Sequence, residues 1–289
     1  MACNLCSSNR PLKKLFIKNK YLLRQCSNCG LVSYSFKQNY DSFLEQQYRE
    51  GYFNGEETLR SYYNYQKDKP MIVRNFRWYL KQIKKYKKKG KLLDIGCAYG
   101  YFLELARESG FDCYGVDPSI YAIKEAKKKF GDHVERKPLS RLSFLPKTFD
   151  LITMFDVFEH LLEPQKDLER VRSVIKDNGI LTISTGDQGS TWAKMMGRKW
   201  TFYNPPQHIN YFNKDNIKMI LDQSGFEVIN LVKNGKWLYL RYVLHLASTV
   251  GEGSFAKILY SLVKNNFLGR APLFLKLNDN MVIFARKRK

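Results

Sequence analysis

The feature that most constrains this chain is an alternation of apolar and glycine-containing segments between residues 92 and 119. The run LLDIGCAYGYF indicates a buried strand, a tight turn at Gly96 and Gly100, and the start of a helix. The run FDCYGVDPS indicates a second strand that ends at Asp117. Asp117 follows Gly96 by 21 residues, near the spacing at which nucleotide-binding α/β folds place a carboxylate on a ribose hydroxyl. The pattern therefore predicts a βαβ unit that binds a nucleoside cofactor.

The residues of the turn narrow the choice of cofactor. A dinucleotide site needs the pattern G-x-G-x-x-G, because the backbone and a helix N-terminus must approach a pyrophosphate. The chain instead has Asp94-x-Gly96-x-Ala98-x-Gly100, so an NAD site fits poorly. The Asp94 carboxylate would repel a diphosphate, but it suits a ligand that carries ammonium and sulfonium charges. S-adenosylmethionine (SAM) is such a ligand.

These residues resemble the class I SAM-dependent methyltransferases. The first motif of that family is D/E-x-G-x-G-x-G, and its second is an acidic residue that ends the next strand. Ala98 replaces the middle glycine, a change between small residues that should still let the backbone approach the cofactor. The alternative is an ordinary βαβ unit with a tight turn. The cofactor-binding residues that the resemblance implies are Asp94, Gly96, Ala98, Gly100, Asp117, Pro118 and Asp156.

Beyond Pro118, segments typical of strands and helices continue to alternate. The strand-like runs are FDLITMF at 149–155, ILTIS at 180–184, FEVINLV at 226–232 and NMVIFARK at 280–287. Helical periodicity appears at 119–130, 164–176 and 213–224. This alternation predicts an α/β fold with a doubly wound, mostly parallel sheet. The family resemblance adds a Rossmann-like sheet of seven strands whose last strand is antiparallel.

Four cysteines near the N-terminus have the spacing of a metal site. Cys3-x-x-Cys6 and Cys26-x-x-Cys29 are separated by 19 residues, as in a zinc ribbon with a knuckle at each end of a hairpin. Four thiolates close a tetrahedral site, so we expect the zinc to be structural; two disulfides are the alternative. We interpret the other two cysteines as buried apolar residues, namely Cys97 and Cys113.

The length of 289 residues suffices for one α/β domain of about 200 residues and a small module. We expect a zinc ribbon at 1–35, a helical linker at 36–89, and a methyltransferase domain at 90–289 with a helical insertion at about 235–277. The chain has no run of 18 apolar residues, and its N-terminus lacks the layout of a secretory signal. We therefore expect a cytoplasmic protein without a transmembrane segment.

The net charge of +22 raises the question of an anionic partner. Lysines cluster at 81–91 and 124–129, and the chain ends in Arg-Lys-Arg-Lys. The lysines at 81–89 lie on a predicted helix that ends at Gly90 and whose apolar stripe includes Ile72, Tyr79 and Ile83, so we interpret them as its solvated face. RNA or an anionic membrane surface remains the alternative partner.

The candidate catalytic residues follow the strand at 149–155. The segment Asp156-Val-Phe-Glu159-His160-Leu is similar to the D-V-x-E-H-L segment of sugar- and quinone-modifying methyltransferases. Methyl transfer to a hydroxyl needs an aligned acceptor and a group that removes its proton. We expect His160, titrating near neutrality, to be this base and Glu159 to orient it, with Asp156 facing the cofactor or fixing the loop. In the alternative, Glu159 and His160 only cap the next helix and form hydrogen bonds with the backbone.

A second acceptor-side candidate is His208, in a loop with tandem prolines. With Trp200 and Tyr211 it could form an aromatic wall for a sugar or another ring. The arrangement W-x(n)-P-x-H-x-x-Y-F also looks like a signature of the methyltransferase branch encoded with surface-glycan enzymes, in which an N-terminal zinc ribbon recurs. The alternative is a structural hydrogen-bonding role for His208.

The segment 237–277 mixes aromatic, aliphatic and basic residues with helical spacing. We expect it to cover the acceptor pocket, or to dock on a membrane surface or a lipid-linked substrate.

Together these features predict a SAM-dependent methyltransferase that acts on a saccharide or small molecule in surface polysaccharide or natural-product biosynthesis. The alternatives are an RNA methyltransferase that uses the ribbon and the lysines for binding, and a non-catalytic SAM-binding protein.

Overall fold

The computed structural model describes residues 3, 5, 6, 8–54, 64–250 and 254–288. Parts of the predicted ribbon, linker and insertion (residues 1, 2, 4, 7, 55–63 and 251–253) and the last lysine of the basic C-terminus lie outside the described residues. The strands are β1 (Leu12–Lys18), β2 (Tyr21–Cys26), β3 (Val32–Ser33), β4 (Gly90–Ile95), β5 (Phe111–Asp117), β6 (Val134–Arg136), β7 (Phe149–Phe155), β8 (Ile175–Gly186), β9 (Asn210–Tyr211), β10 (Phe226–Tyr239) and β11 (Pro272–Lys287). The helices are α1 (Tyr40–Gln47), α2 (Glu50–Asn54), α3 (Lys69–Ile83), α4 (Tyr101–Glu108), α5 (Ile120–Phe130), α6 (Pro164–Val174), α7 (Thr191–Met196), α8 (Lys214–Gln223), α9 (Leu240–Val250) and α10 (Ser254–Val263).

Seven strands form one large sheet in the order β10-β11-β8-β7-β4-β5-β6. Strands β4 to β8 pair in parallel, whereas β11 is antiparallel to both of its neighbours. Helices α6 and α8 pack on one face, and α3, α4 and α5 pack on the other. The prediction of a doubly wound, Rossmann-like sheet of seven strands with an antiparallel last strand is confirmed.

The central strands are apolar on both faces because helices cover both. In β4, Leu92 contributes to one core cluster and Leu93 to the other. Such continuous apolar runs are typical of parallel strands buried on two sides.

Helix α3 follows the pattern expected from its sequence. Pro70 lies in its first turn, and Ile72, Tyr79 and Ile83 are buried. Lys81 is exposed on α3, as predicted, but the helix ends at Ile83 and not at Gly90. The lysines at 84–89 therefore lie beyond the helix, and most of them are exposed.

The N-terminal hairpin is part of a second sheet of four strands, in the order β1-β2-β3-β9. Asn19 and Lys20 form the turn between β1 and β2 with positive φ angles, which suits a two-residue hairpin. Strand β9 comes from the segment after β8, and Val32 of β3 pairs with its Tyr211. The ribbon is therefore joined by backbone pairing to the segment that follows β8.

Strands β10 and β11 extend beyond the rest of the large sheet and carry α9 and α10 between them. Arg241 of α9 forms an ion pair of 2.6 Å with Asp68 at the start of α3, and both side chains are buried. No helix in the described part of the chain is long and apolar enough to cross a membrane.

Candidate functional site

The candidate site lies where the parallel strands reach their carboxyl ends. Open α/β sheets bind ligands at this edge, because the loops that leave neighbouring strands diverge there. Gly96 follows β4, Asp117 ends β5, and Asp156 follows β7.

The loop between β4 and α4 contains three residues with a left-handed backbone. Gly96 has φ +77°, and a Cβ atom on it would lie 2.4 Å from Cγ2 of Val157. Gly100 has φ +73° as the residue before α4. Ala98, the departure from the glycine motif, adopts φ 45°. A left-handed backbone costs about 1–2 kcal/mol for a residue with a Cβ. Ala98 therefore adopts the backbone conformation expected of the motif's glycine despite this cost.

Asp117 links the ends of β4 and β5. Its carboxylate accepts the N–H of Ala98 at 3.0 Å and the N–H of Ser119 at 2.8 Å. A carboxylate has about four lone-pair positions, so two remain for ligand hydroxyl groups. Burial raises the pKa of Asp117 to about 6, although the two hydrogen bonds oppose this shift.

Asp94 lies beneath the same loop. The hydroxyl of Thr153 donates to its Oδ1 at 2.6 Å. Burial raises the pKa of Asp94 to about 7, because the charged form is poorly solvated there. A cationic ligand beside it would stabilise the carboxylate.

Asp156 has a positive φ of 54° directly after β7. Its carboxylate accepts the hydroxyl of Ser184 at 3.0 Å and pairs with Lys236 of β10 at 2.9 Å. Burial alone would raise its pKa, but Lys236 and the hydrogen bonds outweigh burial and hold the pKa below its usual range. Asp156 therefore connects the end of β7 to β8 and β10 through these two contacts. It also lines the cavity at this edge of the sheet.

Glu159 is fully buried at the next turn. Its Oε2 accepts the hydroxyl of Thr185 at 2.8 Å, while Oε1 has no hydrogen-bond partner among the described residues. Burial, with a smaller contribution from the charge of Asp156, raises the pKa of Glu159 to about 8. A buried oxygen without a partner indicates a place for a ligand donor or cation.

His160 is oriented by a backbone carbonyl. Its Nδ1 lies 2.9 Å from the Gln207 oxygen, and the Tyr48 hydroxyl is 3.3 Å from the same nitrogen. A carbonyl only accepts, so Nδ1 carries the proton and Nε2 keeps its lone pair. The expectations that Glu159 orients this ring and that His160 titrates near neutrality were wrong, since Glu159 bonds Thr185 and burial lowers the pKa of His160 to about 4.

His208 meets His160 from the proline-containing loop. The two ring centroids are 4.8 Å apart and nearly perpendicular. The Nδ1 of His208 lies 2.7 Å from the Phe202 carbonyl oxygen, so its Nε2 also keeps a lone pair. Burial and the neighbouring His160 lower the pKa of His208 to about 3.

The expected aromatic wall is made of different rings. Trp200 and Tyr211 are completely buried in the core beneath the ribbon, and the Trp200 indole donates to Asp279 at 2.8 Å. Phe202 and Tyr203 of the same loop line the cavity instead.

One cavity of about 1190 Å³ connects these groups. It reaches from Gly96, Ala98 and Asp117 to Asp156, Glu159, His160 and His208. Most of the other residues that line the cavity were not predicted from the sequence. The missed residues include the tyrosines at 48, 52, 65, 79 and 242, the amides Asn234 and Asn280, the cation Lys236, and Lys18 and Asn19 of the ribbon turn. The segment 40–65 is rich in tyrosine, and this is the sequence feature that could have indicated part of the cavity lining.

Two groups of side chains in the described residues could hold a metal ion. Ligand atoms of Glu159, His160 and His208 lie within 4.8 Å of one another, as do the sulfurs of Cys3, Cys6, Cys26 and Cys29. In the first group the two imidazole lone pairs and the carboxylate could also accept a proton from a bound hydroxyl.

The cysteine sulfurs are too far apart for disulfide bonds. Cys3 and Cys29 are separated by 3.6 Å and Cys6 and Cys26 by 3.7 Å, and all four are free thiols. A tetrahedron with metal–sulfur bonds of about 2.3 Å has sulfur–sulfur edges of about 3.8 Å, close to these distances. Cys97 and Cys113 are buried, as predicted.

Comparison with known proteins agrees with this architecture. Part of the chain is 36% identical over 106 residues to the mitochondrial ubiquinone biosynthesis O-methyltransferase of Schizosaccharomyces pombe, covering 33% of this chain and 37% of that protein. Another part is 26% identical over 157 residues to the ubiquinone biosynthesis O-methyltransferase of Bradyrhizobium sp. (strain ORS 278), covering 47% of this chain and 60% of that protein. The chain thus spans less than two thirds of the length of these curated relatives.

Structural comparison gives the same fold. A SAM-dependent methyltransferase from Archaeoglobus fulgidus superposes with a TM-score of 0.55 at 24% identity, covering 82% of this chain and 99% of that one. Residues 65–231, more than half of the chain, match the protein family described as "Methyltransferase domain". With the glycine-containing loop, the acidic end of β5 and the seven-stranded sheet already described, this match identifies the chain as a member of the class I SAM-dependent methyltransferases.

Proposed function

We propose that this chain transfers the methyl group of SAM to a hydroxyl oxygen of a small, ring-containing molecule. The observation that carries the proposal is the single cavity that joins the nucleotide-binding loop to Glu159, His160 and His208. Its volume of about 1190 Å³ exceeds the roughly 300–1,000 Å³ typical of a site for one ligand, which leaves room for a cofactor and an acceptor together.

The residues at the β4 and β5 ends fit SAM. The two free lone-pair positions of Asp117 suit ribose hydroxyl groups, and Asp94 suits a positive charge. Gly96 and Ala98 line this part of the cavity and add little side-chain bulk to it. When bound, SAM supplies an electrophilic methyl group on a sulfonium.

The other half of the cavity suits an acceptor with a ring and several polar groups. Tyr48, Tyr52 and Tyr242 give flat apolar surfaces, and burial raises the pKa of each hydroxyl, so all three remain neutral donors. Asn234 Nδ2 and Asn280 Oδ1 are buried without partners in the described part of the chain, and both residues line the cavity. Unpaired amide atoms favour an acceptor with hydroxyl or carbonyl groups.

Two acceptor classes share this chemistry. The curated relatives are named for ubiquinone biosynthesis, which favours O-methylation of a phenol-like ring. A saccharide, the acceptor suggested by the glycan-branch signature, also presents hydroxyl groups on a ring that can stack on tyrosine. We place the phenolic acceptor first because the matched relatives favour it.

The hydroxyl proton can pass to the group formed by Glu159, His160 and His208. Both imidazoles are neutral near pH 7 with a lone pair on Nε2, whereas Glu159 is mostly protonated below pH 8. The acceptor oxygen becomes a better nucleophile as its proton leaves, and a positioned base typically contributes about 10²–10⁴-fold.

The proposal is tested by transfer of label from methyl-radiolabelled SAM into a host extract separated into RNA, water-soluble metabolites, glycolipid and quinone-lipid fractions. We expect ribonuclease-resistant label in a small-molecule fraction, and its position there separates phenolic from saccharide acceptors. Label released by ribonuclease would replace the proposal with an RNA methyltransferase. Binding of SAM without transfer to any fraction would favour a non-catalytic role.

Replacing Asp117 with alanine should weaken SAM binding about 10- to 100-fold, because hydrogen bonds to a charged group contribute about 1.5–3 kcal/mol. Isothermal titration calorimetry measures the change. Asp112→Ala is the matched control, since Asp112 lies on the same strand but is half exposed. An unchanged affinity in a folded Asp117→Ala protein would contradict the assignment of this cofactor site.

The pH profile should depend on Glu159. Its raised pKa of about 8 means that the carboxylate forms as the pH rises through this value, while both histidines are already neutral. We expect kcat/KM to increase between about pH 7 and 9 in the wild-type protein and to stay flat over this range in Glu159→Gln. Asp132→Asn, at a fully exposed acid, should keep the wild-type profile. If kcat/KM still rises with pH in Glu159→Gln, the result would contradict the role of Glu159 as a proton acceptor.

We further propose that Cys3, Cys6, Cys26 and Cys29 bind one structural zinc ion. Elemental analysis of the freshly purified protein should give about one equivalent of zinc, and Cys26→Ser should lower it, while Cys113→Ala should not. Because Asn19 of the ribbon donates to the Pro205 carbonyl in the loop that carries His208, zinc loss should raise the KM of the acceptor more than the Kd of SAM. Less than half an equivalent would contradict the zinc site.

A further inference from the structure

The chain from the end of β10 to the start of β11 has exposed apolar side chains that do not line the cavity. We call this segment, residues 237–277 with α9 and α10, the excursion; residues 251–253 lie outside its described part. Of the ten large exposed apolar side chains in the described residues, five lie in it: Ile258, Leu262, Phe267, Leu268 and Phe274. Ile258 and Leu262 are one helical turn apart, so they share a face of α10. Such a concentration indicates an interaction surface.

The charged residues of the excursion that follow Glu252 all have one sign. Between Gly253 and Asn278 the sequence contains no aspartate or glutamate, whereas its cations are Lys257, Lys264, Arg270 and Lys276. These four side chains are exposed beside the exposed apolar residues. A surface with this composition complements an anionic, partly apolar partner.

The excursion is held in place by specific contacts. The Asn75 side chain accepts the N–H of Trp237 at 2.8 Å and donates to its carbonyl at 3.0 Å. Arg241 and Asp68 form the buried ion pair, and the rings of His245 and Tyr260 are 5.2 Å apart between α9 and α10. The apolar side chains therefore project from an ordered element.

We propose that the excursion docks on an anionic lipid bilayer. Ile258, Leu262 and Phe267 enter the boundary between headgroups and acyl chains, where burial of apolar surface stabilises the bound state. Lysine and arginine near the bilayer surface are attracted to anionic headgroups. RNA fits this surface less well, because a polyphosphate backbone leaves exposed aliphatic side chains in water.

Docking has a consequence for the cavity. Lys257, Tyr260, Leu275 and Leu277 belong to the excursion and line the cavity. The bound protein would therefore hold the acceptor half of the cavity close to lipid-soluble molecules. This consequence rests on the proposed methyl transfer, whereas the docking itself does not.

The test is flotation of the full-length protein with vesicles of phosphatidylcholine, with and without about one third phosphatidylglycerol. We expect binding to the anionic vesicles to be at least about tenfold tighter than to neutral ones, and to weaken as salt rises. Failure to float with anionic vesicles would overturn the proposal. Methyl transfer to a water-soluble acceptor does not enter this assay, so the two proposals fail separately.

Matched variants separate the excursion from the general basic surface. Ile258→Ser with Leu262→Ser should reduce vesicle binding about tenfold or more, while Leu145→Ser with Met195→Ser, at equally exposed sites elsewhere, should not. Lys264→Gln, Arg270→Gln and Lys276→Gln together should abolish the preference for anionic vesicles. Lys84→Gln, Lys88→Gln and Lys89→Gln remove the same charge outside the excursion and should preserve it.

Each alternative partner has its own outcome. If both triple variants lose vesicle binding equally, the attraction to anionic vesicles would come from the net charge of the protein, and the proposed docking surface would be wrong. A wild-type dimer in sedimentation velocity that Ile258→Ser with Leu262→Ser dissociates would assign the face to a second copy of the chain. Tighter binding to RNA than to anionic vesicles, reduced by changes in the excursion, would assign it to nucleic acid.

Discussion

The parallel pairing of β5, β4 and β7 is the constraint on which the site depends. Leu92 of β4 pairs with Cys113 of β5 and with Leu151 of β7, so the three strands end at the same level. This register brings Gly96, Asp117 and Asp156 to one edge although they are far apart in the sequence. The core on both faces fixes the register, because a shift by one residue would exchange the side chains that point to each face.

The βαβ unit that is proposed to hold the cofactor could be predicted from sequence because its determinants are local. The loop, the helix and the acidic end of β5 lie within one βαβ unit, where spacing alone limits the geometry. Asn213 caps α8 in an equally local way, because its side chain and that of Asn216 each accept the backbone N–H of the other residue. The antiparallel last strand came from family resemblance, since no local pattern distinguishes the direction of an apolar strand.

The acceptor half could not be predicted in the same way because distant segments build it. Tyr48 comes from a turn after α1, Lys236 from β10 and Asn19 from the hairpin of the ribbon. The sequence brought out His160 and His208 as reactive residues, but it could not show that backbone carbonyls orient both rings or that burial keeps both neutral. Trp200 was predicted to line the pocket because it is aromatic, but it is buried against residues of the ribbon instead.

The division of the cavity between one compact βαβ unit and several distant segments also bears on how such a chain can change over time. Asp117 accepts the backbone N–H of Ala98, so a substitution of Asp117 would disturb the loop of the proposed cofactor site. The ribbon turn bonds to the loop that carries His208, whereas the excursion is held separately by the ion pair of Arg241 with Asp68 at the start of α3. Substitutions in these segments can remodel the proposed acceptor pocket while the βαβ unit stays intact. A single ancestral scaffold could therefore diversify into enzymes for different acceptors by replacing one wall at a time.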